Sequence, residues 1–399
     1  MVIQGPGSSK IPLPKKFYGY ATNCGVRKYR PDLGVLYSEL DCVATAVYTK
    51  NTCHAAHIHY DKRILPSEKL RAIVTNSGQA NTATGSKGDE DNLQMVTLVA
   101  EKLELTPDQV ASASTGVIGV HLDIEKINRA IPELFLNRSK HAGSFATAIM
   151  TTDLSPKTCY LDVNLSGGDI RLTGICKGSG MIHPNMATML GYILTDAKID
   201  LKWAKKILPE VVDRSFNMIS VDGETSPNDT VFLLANGASG VSVENSEDQK
   251  VMLQAMNRLA QDMAKSIAAD GEGASKLIEV EVQNYPDEQM ARKIAKGITI
   301  SPLIKTAIHG EDPNWGRIYS RLGQEGAEYE LVSNCDLYLN KIKVLENGAP
   351  VPFDYYAMKS GLSEDFITIR IDFKSTPSSV KAWGCDLTKK YVDINTEYN

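Results

Sequence analysis

Near the middle of the chain, Gly174–Leu190 reads GICKGSGMIHPNMATML, a run of residue types suited to chemistry on the backbone itself. A short apolar strand leads into Lys177. Gly178-Ser179-Gly180 is then a turn free enough to fold tightly or to bring amides close to a ligand. Met181–Asn185 carries Pro184 into Met186-Ala187-Thr188, and Met189–Leu194 reads as a buried strand. A threonine at the head of a core strand is ordinarily a β-branched strand former. Here a lysine, a glycine turn and a rigid Pro-Asn bend precede a junction of a small residue with threonine. A chain that cleaves itself to expose a threonine nucleophile needs this arrangement. An N-terminal threonine brings its own general base, because an α-amine has a pKa of about 7.7–8.0 and needs no neighbouring histidine.

An acyl-transfer site also needs hydrogen-bond donors where the tetrahedral oxyanion develops. The strand end Ser114-Thr115-Gly116, within Ala113–Gly119 (ASTGVIG), offers a glycine amide beside a hydroxyl. Taken alone it is an ordinary strand-to-loop turn. Lys177 alone would be a surface lysine at a strand end, and Thr151 of the Thr151-Thr152-Asp153 segment a helix C-terminal turn. Glu272, flanked by glycines in Asp270–Lys276 (DGEGASK), would be a solvated loop carboxylate. That segment is no phosphate loop, since the G-x-x-x-x-G-K spacing is absent. Tyr391–Asn395 reads YVDIN.

The junction closely resembles the autoprocessing site of the ornithine acetyltransferase (glutamate N-acetyltransferase) family of arginine biosynthesis. Its members are cut between the Ala and Thr of a KG-[SA]-GM-x-x-PNMATML sequence, here Ala187 and Thr188, and the likeness covers nearly the whole chain. The resemblance implies that Thr188 is the nucleophile with its own amine as base, and that Thr115 and Gly116 form the oxyanion hole. It assigns Thr151, Lys177, Thr188, Glu272 and Asn395 to substrate binding. The family continues to a Ser or Thr five residues after the Asn of its YVxIN ending, whereas this chain reads to Asn399. Either Asn399 or the terminal carboxylate then takes that role, or substrate preference differs.

The implied reaction is acetyl transfer from N2-acetylornithine to glutamate through an acetyl-Thr188 ester, without a metal or resident cofactor. Acetyl-CoA is a second donor in bifunctional members, and nothing in the chain reports a CoA site. The fragments 1–187 (α) and 188–399 (β) are expected to stay together, and the resemblance implies an α2β2 heterotetramer. Two other readings use the same residues. One is an amidase or aminopeptidase with the same N-terminal threonine, and the other is a catalytically altered member of the family.

Three further groups of residues invite a chemical reading. Cys53-His54-Ala55-Ala56-His57-Ile58-His59 holds metal-ligand types, but on a strand His57 and His59 share a face that His54 does not, so exposed strand histidines are expected there. His309–Arg317 (HGEDPNWGR) groups His, Asp and Arg, yet its Pro, Asn and Gly residues make a structured turn with a packed Trp the simpler expectation. Ser220–Thr230, with Asp222, Glu224, Asn228 and Asp229, reads as turn chemistry.

Composition narrows the classes. At 399 residues, 42% hydrophobic and 23% charged, the chain is an ordinary globular protein able to bury one large core or two moderate ones. A net charge of −5 gives no reason to expect a nucleic-acid surface. The 7 cysteines contain no C-x-x-C pair, which favours free thiols in a reducing compartment. No run approaches a membrane span and the N-terminus has no apolar signal core, so the expected location is cytoplasmic.

The elements that must position these groups alternate irregularly. Strands are expected at Val43–Tyr48, Arg71–Asn76, Val110–Ser114, Cys159–Cys176 and Thr230–Ala235, and beyond them at Leu277–Val282, Glu330–Leu337, Lys341–Leu345 and Phe366–Phe373. Helices are expected around Leu93–Leu103, Asp123–Phe135, His141–Met150 and Leu201–Phe216, from Asn245/Ser246 through Ile267, and at Met290–Gly297, with mostly strands beyond. Residues 1–17 read as a loose arm. This is an α/β pattern. The resemblance implies an αββα sandwich of mixed sheets covered by helices (1–285) with a smaller C-terminal α/β unit (286–399).

Overall fold

A computed structural model describes residues 10–183 and 189–396. Along the chain run β1 (Phe17–Thr22), β2 (Leu33–Tyr48), α1 (Ala56–Ile64), β3 (Ser67–Gln79), α2 (Gly85–Lys102), β4 (Val110–Val117), α3 (Ile124–Leu134) and α4 (Gly143–Ala148). The hairpin β5 (Lys157–Leu165) and β6 (Gly168–Lys177) follows, then β7 (Leu190–Thr195), α5 (Leu201–Asp213), β8 (Ile219–Ser220), β9 (Thr230–Ala235) and α6 (Ser246–Ala269). The remainder holds β10 (Leu277–Gln283), α7 (Glu288–Ile300), α8 (Pro302–His309), α9 (Trp315–Glu325) and α10 (Tyr329–Val332), then β11 (Asp336–Leu339), β12 (Ile342–Glu346) and β13 (Ala349–Pro350). It closes with α11 (Tyr355–Leu362), β14 (Phe366–Asp372), β15 (Ser379–Cys385) and α12 (Lys389–Thr396).

The chain divides into two units: residues 1–178, 184–217 and 224–263, and residues 179–183, 218–223 and 264–399. The larger unit is built on a mixed sheet in the order β4-β3-β2-β9-β7-β6-β5, with β1 also on β2. β3 with β4 and β7 with β9 run parallel, and the other neighbours run antiparallel. Alternation along the strands sorts the two faces. Leu33, Val35, Ala72 and Val74 pack with Met95, Val96 and Val99 of α2 and with Ile127 and Leu134 of α3. Leu36, Ile73, Ala111, Tyr192 and Phe232 point the other way, into a core with Phe145 of α4. Ile11 and Leu13 join that second core, so the expected loose arm is anchored from Ile11 onward.

The smaller unit carries the mixed sheet β13-β12-β11-β14-β10-β15-β8, with β10/β14 and β15/β8 parallel. The α/β class with mixed sheets and helical cover therefore holds. The resemblance implied a C-terminal unit from 286, and in the structure 264–399 lie in the smaller unit together with 179–183 and 218–223. The cause is β10, whose partners β14 and β15 both come from the C-terminal part of the chain.

Two expectations are corrected. The 53–59 stretch is not a strand: Ala56–Ile64 is a helix with Lys62 and Arg63 in its last turn, where cations meet the carbonyl end. Past residue 300 the chain is not mostly strands but first forms α8, α9 and α10, so Glu330–Leu337 is largely helix and turn. The signals were present in the sequence. Pro302 opens α8 with the Ser301 hydroxyl accepting from Ile304 N, and α9 stops at Gly326 with φ of 92°.

Candidate active site

Thr115, Gly116, Thr151 and Lys177 lie in the larger unit, all but Thr151 at strand ends. β6 ends at Lys177, which is 8% exposed and donates from Nζ to Thr151 Oγ1 at 3.1 Å. Thr151 is held on both sides. Its N–H donates to Asp153 Oδ2 (2.9 Å), and its carbonyl accepts from Arg27 Nη2 and Arg30 Nη2 at 2.9 Å each. Arg27 also donates to the Met150 carbonyl and Arg30 to that of Asp153. Asp153 Oδ1 accepts from Lys157 Nζ (2.6 Å) and from Gly178 N (2.8 Å). Burial works against the Asp153 carboxylate, but the Lys157 and Lys177 ammoniums and the Lys157 and Gly178 hydrogen bonds outweigh it and hold its pKa well below the usual range. Burial pulls the Lys177 ammonium below its ordinary value, opposed by Asp153 and Asp229 and reinforced by Lys157 and Arg27.

The ASTGVIG segment is the end of β4, where Thr115 and Gly116 pair with Ser77, Gly78 and Gln79 of β3. Gly116 sits at φ 133°, and a Cβ there would fall on the Gly78 carbonyl group. Asn228 braces the turn: its Nδ2 donates to the carbonyls of Ala80 (2.6 Å) and Ser114 (2.8 Å), and its Oδ1 accepts from Thr82 Oγ1 (2.7 Å). Gly78 links this segment to the loop that holds the Lys177–Thr151 contact. A Cβ on Gly78 would lie 2.8 Å from Val26 Cγ1 and 3.3 Å from Arg27 Cγ, so the missing side chain lets the arginine loop close against β3. Asp32 fixes that loop by accepting from the N–H groups of Cys24, Val26 and Arg27. Thr115, Gly116, Thr151 and Lys177 thus belong to one continuous set of contacts.

Glu272 and Asn395 lie in the smaller unit and meet directly, with Asn395 Nδ2 donating to Glu272 Oε2 at 2.9 Å. Glu272 is not the solvated loop residue its neighbours suggested but is 8% exposed. Its N–H donates to the Ser179 carbonyl (3.0 Å), and a Cβ on Gly180 would overlap its carboxylate. The second glycine of KGSG is therefore required by the close approach of Glu272. Asp386 fixes the same loop, accepting from the N–H groups of Ser275 and Lys276, the Ser275 hydroxyl, and His309 at 3.0 Å. Asp222 accepts from the N–H groups of Met181 and Ile182, and holds the chain ahead of the junction. Ala187 and Thr188 lie outside the described residues.

A model of the ArgJ family matches residues 19–399. This chain is 44% identical over 394 residues to "Arginine biosynthesis bifunctional protein ArgJ" of Thermotoga neapolitana, covering 97% of this chain and 99% of that protein. It is 45% identical over 390 residues to the protein of the same name from Lactococcus lactis, covering 97% and 98%. The chain belongs to the ArgJ family. A crystal structure of the Bacillus halodurans protein of that name is 39% identical with a TM-score of 0.51, and covers 52% of this chain and 99% of its own.

The histidines of the 53–59 stretch have different surroundings. His57 is fully buried on α1 with Nε2 3.2 Å from Thr230 Oγ1, while His59 faces Asp89 at 3.3 Å. Among the described residues no three His, Cys, Asp or Glu side chains converge as metal ligands. In His309–Arg317 the Trp315 side chain is only half buried, and the buried tryptophan is Trp383 on β15. Sequence reading missed Arg27, Arg30, Asp153 and Asn228 as parts of the site. Arg27, Arg30 and Asn228 act on distant backbone carbonyls, with separations such as 123 residues for Arg27 to Met150, and leave no local pattern.

Proposed function

We propose that this chain is an autoprocessing N-acetyltransferase of arginine biosynthesis that moves acetyl from N2-acetylornithine to glutamate through Thr188. In the precursor, the Thr188 hydroxyl attacks the Ala187 carbonyl, and water then hydrolyses the resulting ester. Chains 1–187 and 188–399 result, and the Thr188 amine is free. That amine takes the proton of the Thr188 hydroxyl as its oxygen adds to the acetyl carbonyl of acetylornithine. The Gly116 amide and Thr115 hydroxyl donate to the oxyanion. Collapse expels ornithine with the proton and leaves an acetyl ester on Thr188. The glutamate amine attacks that ester to give N-acetylglutamate and restore the hydroxyl. Thr151, Lys177, Glu272 and Asn395 hold the substrates, with Lys177 supplying positive charge for a carboxylate. The scheme uses no metal or resident cofactor, and acetyl-CoA serves as donor in a second mode, in keeping with the "bifunctional" of the relatives' names. The assembly is an α2β2 heterotetramer, in the cytoplasm. Among the described residues no helix is long and apolar enough to cross a membrane.

The observation that carries this reading is the joining of the β4 oxyanion segment to the Thr151–Lys177 pair through Gly78 and Arg27. The half-length solved relative, matched over 99% of its chain by 52% of this one, agrees with a precursor split near its midpoint. The test is intact-mass analysis with N-terminal sequencing, followed by mass labelling with acetyl donor. Two fragments are expected, the larger beginning at Thr188 and gaining one acetyl group, while Thr188→Ala stays uncut and inactive. One unbroken polypeptide that still turns over acetylornithine would overturn the assignment. Release of free acetate instead of N-acetylglutamate would mark a hydrolase.

A further inference from the structure

We propose that Asp153 is a positioning residue for acetyl transfer, whose carboxylate holds the backbone on both sides of the Lys177–Thr151 contact and so fixes where the ammonium points. The inference rests on the reading that Lys177 and Thr151 contact substrate. One oxygen of Asp153 takes the N–H of Gly178, directly after Lys177, and the other takes the N–H of Thr151. The two segments come from β6 and from the loop after α4, and this buried group spans them. Lys177 then reaches Thr151 Oγ1 at 3.1 Å, across a gap that Asp153 sets from behind.

The simpler alternative makes Asp153 a counter-ion of Lys157 at the start of β5, the pair being almost wholly buried at 2.6 Å. A buried pair of that kind is often replaceable by apolar residues without loss. It also gives no reason for the Gly178 amide, 25 residues away, to converge with the local Thr151 amide on the same carboxylate. The arginines reinforce the point, since Arg27 and Arg30 hold Met150, Thr151 and Asp153 through their carbonyls and leave the Asp153 carboxylate to the amides and Lys157. The charged groups acting on Lys177 are Asp153 and Asp229, which favour its ammonium, and Lys157 and Arg27, which oppose it. Asp153 is foremost among the anions, so its removal lowers the pH at which Lys177 loses its proton.

The two roles separate in the pH dependence of kcat/KM for acetyl transfer, measured on the full-length protein as it matures. Asp153→Asn is expected to lower kcat/KM about 100-fold, the scale of a 1 Å misplacement, and to move the basic limb down by about 1 pH unit or more. Lys157→Met removes the same ion pair, yet is expected to leave the basic limb no lower than in the unmodified protein. Should Asp153→Asn not fold, the double variant Asp153→Asn/Lys157→Met removes both charges together. It is expected to fold with kcat/KM still reduced at least about 10-fold. Failure of a folded double variant to cut itself also supports the proposal, because Gly178 opens the segment leading to the junction. Unreduced kcat/KM in the folded, processed double variant, or an unmoved basic limb in Asp153→Asn, overturns it. Lys177→Met tests the underlying reading separately: unchanged kcat/KM there would remove Lys177 from the site whatever Asp153 does.

Discussion

Single atoms decide much of this site. Gly116 cannot carry a side chain because Gly78 occupies the space, and its φ of 133° belongs to glycine. Thr115→Val keeps the strand-forming shape but deletes the hydroxyl. It is expected to lower kcat on the order of 10²–10³, with an unfolding temperature close to that of the parent. Gly180→Ala is expected to push the Glu272 carboxylate away from Asn395, raising KM for the amino-acid substrates while self-cleavage is read separately by gel. At this scale the sequence was legible where residue type and neighbours carried the message, as in Lys177-Gly178-Ser179-Gly180 and Ser114-Thr115-Gly116. Asp153 and Asn228 were not legible, because an Asp after two threonines or an Asn after a proline is ordinary turn chemistry. Only folding brings their backbone partners within reach.

Elements position those atoms through the parallel ends of β3 and β4, braced by Asn228. Asn228→Ala would leave the buried Ala80 and Ser114 carbonyls and the Thr82 hydroxyl without that partner. With buried unsatisfied groups costing about 1–3 kcal/mol each, a loss of about 3 kcal/mol in denaturant unfolding is expected, together with slower turnover. Strand periodicity made β2, β3, β4 and β9 readable in advance. The α1 helix was not, because His-Ala-Ala-His-Ile-His satisfies alternation as well as helical spacing over so short a run. Its first turn has no side-chain cap to mark it. The helices after residue 300 had caps, at Ser301-Pro302 and Gly326, but their apolar stripes are short and broken by charges.

At the scale of the whole molecule, the order of strands matters more than any one contact. β7 and β9, which follow the proposed cut, lie between β2 and β6, which precede it. The two fragments are therefore expected to co-purify and to separate only under denaturing conditions. The 1–187 fragment expressed alone would lack two central strands and is expected to be insoluble. Acid sensitivity has an identifiable contributor in the larger unit. Burial pushes the His57 imidazole down to about 3, whereas an unfolded chain takes up that proton near pH 6.5. Its neutral state thus supports folding fully above about pH 6.5, and that support falls away as pH drops towards 3, by about 1.4 kcal/mol per pH unit. His57→Gln is expected to flatten this part of a stability–pH curve.

If the Ala187–Thr188 bond is cut as proposed, the interleaving of strands also fixes the timing of activation. A sheet whose middle is supplied by residues after the junction must be assembled while the polypeptide is still continuous, and only an assembled sheet can bring the catalytic amides to the bond to be broken. Maturation then doubles as quality control: a precursor that misfolds never exposes its nucleophile, so every active molecule has already passed a test of its own architecture.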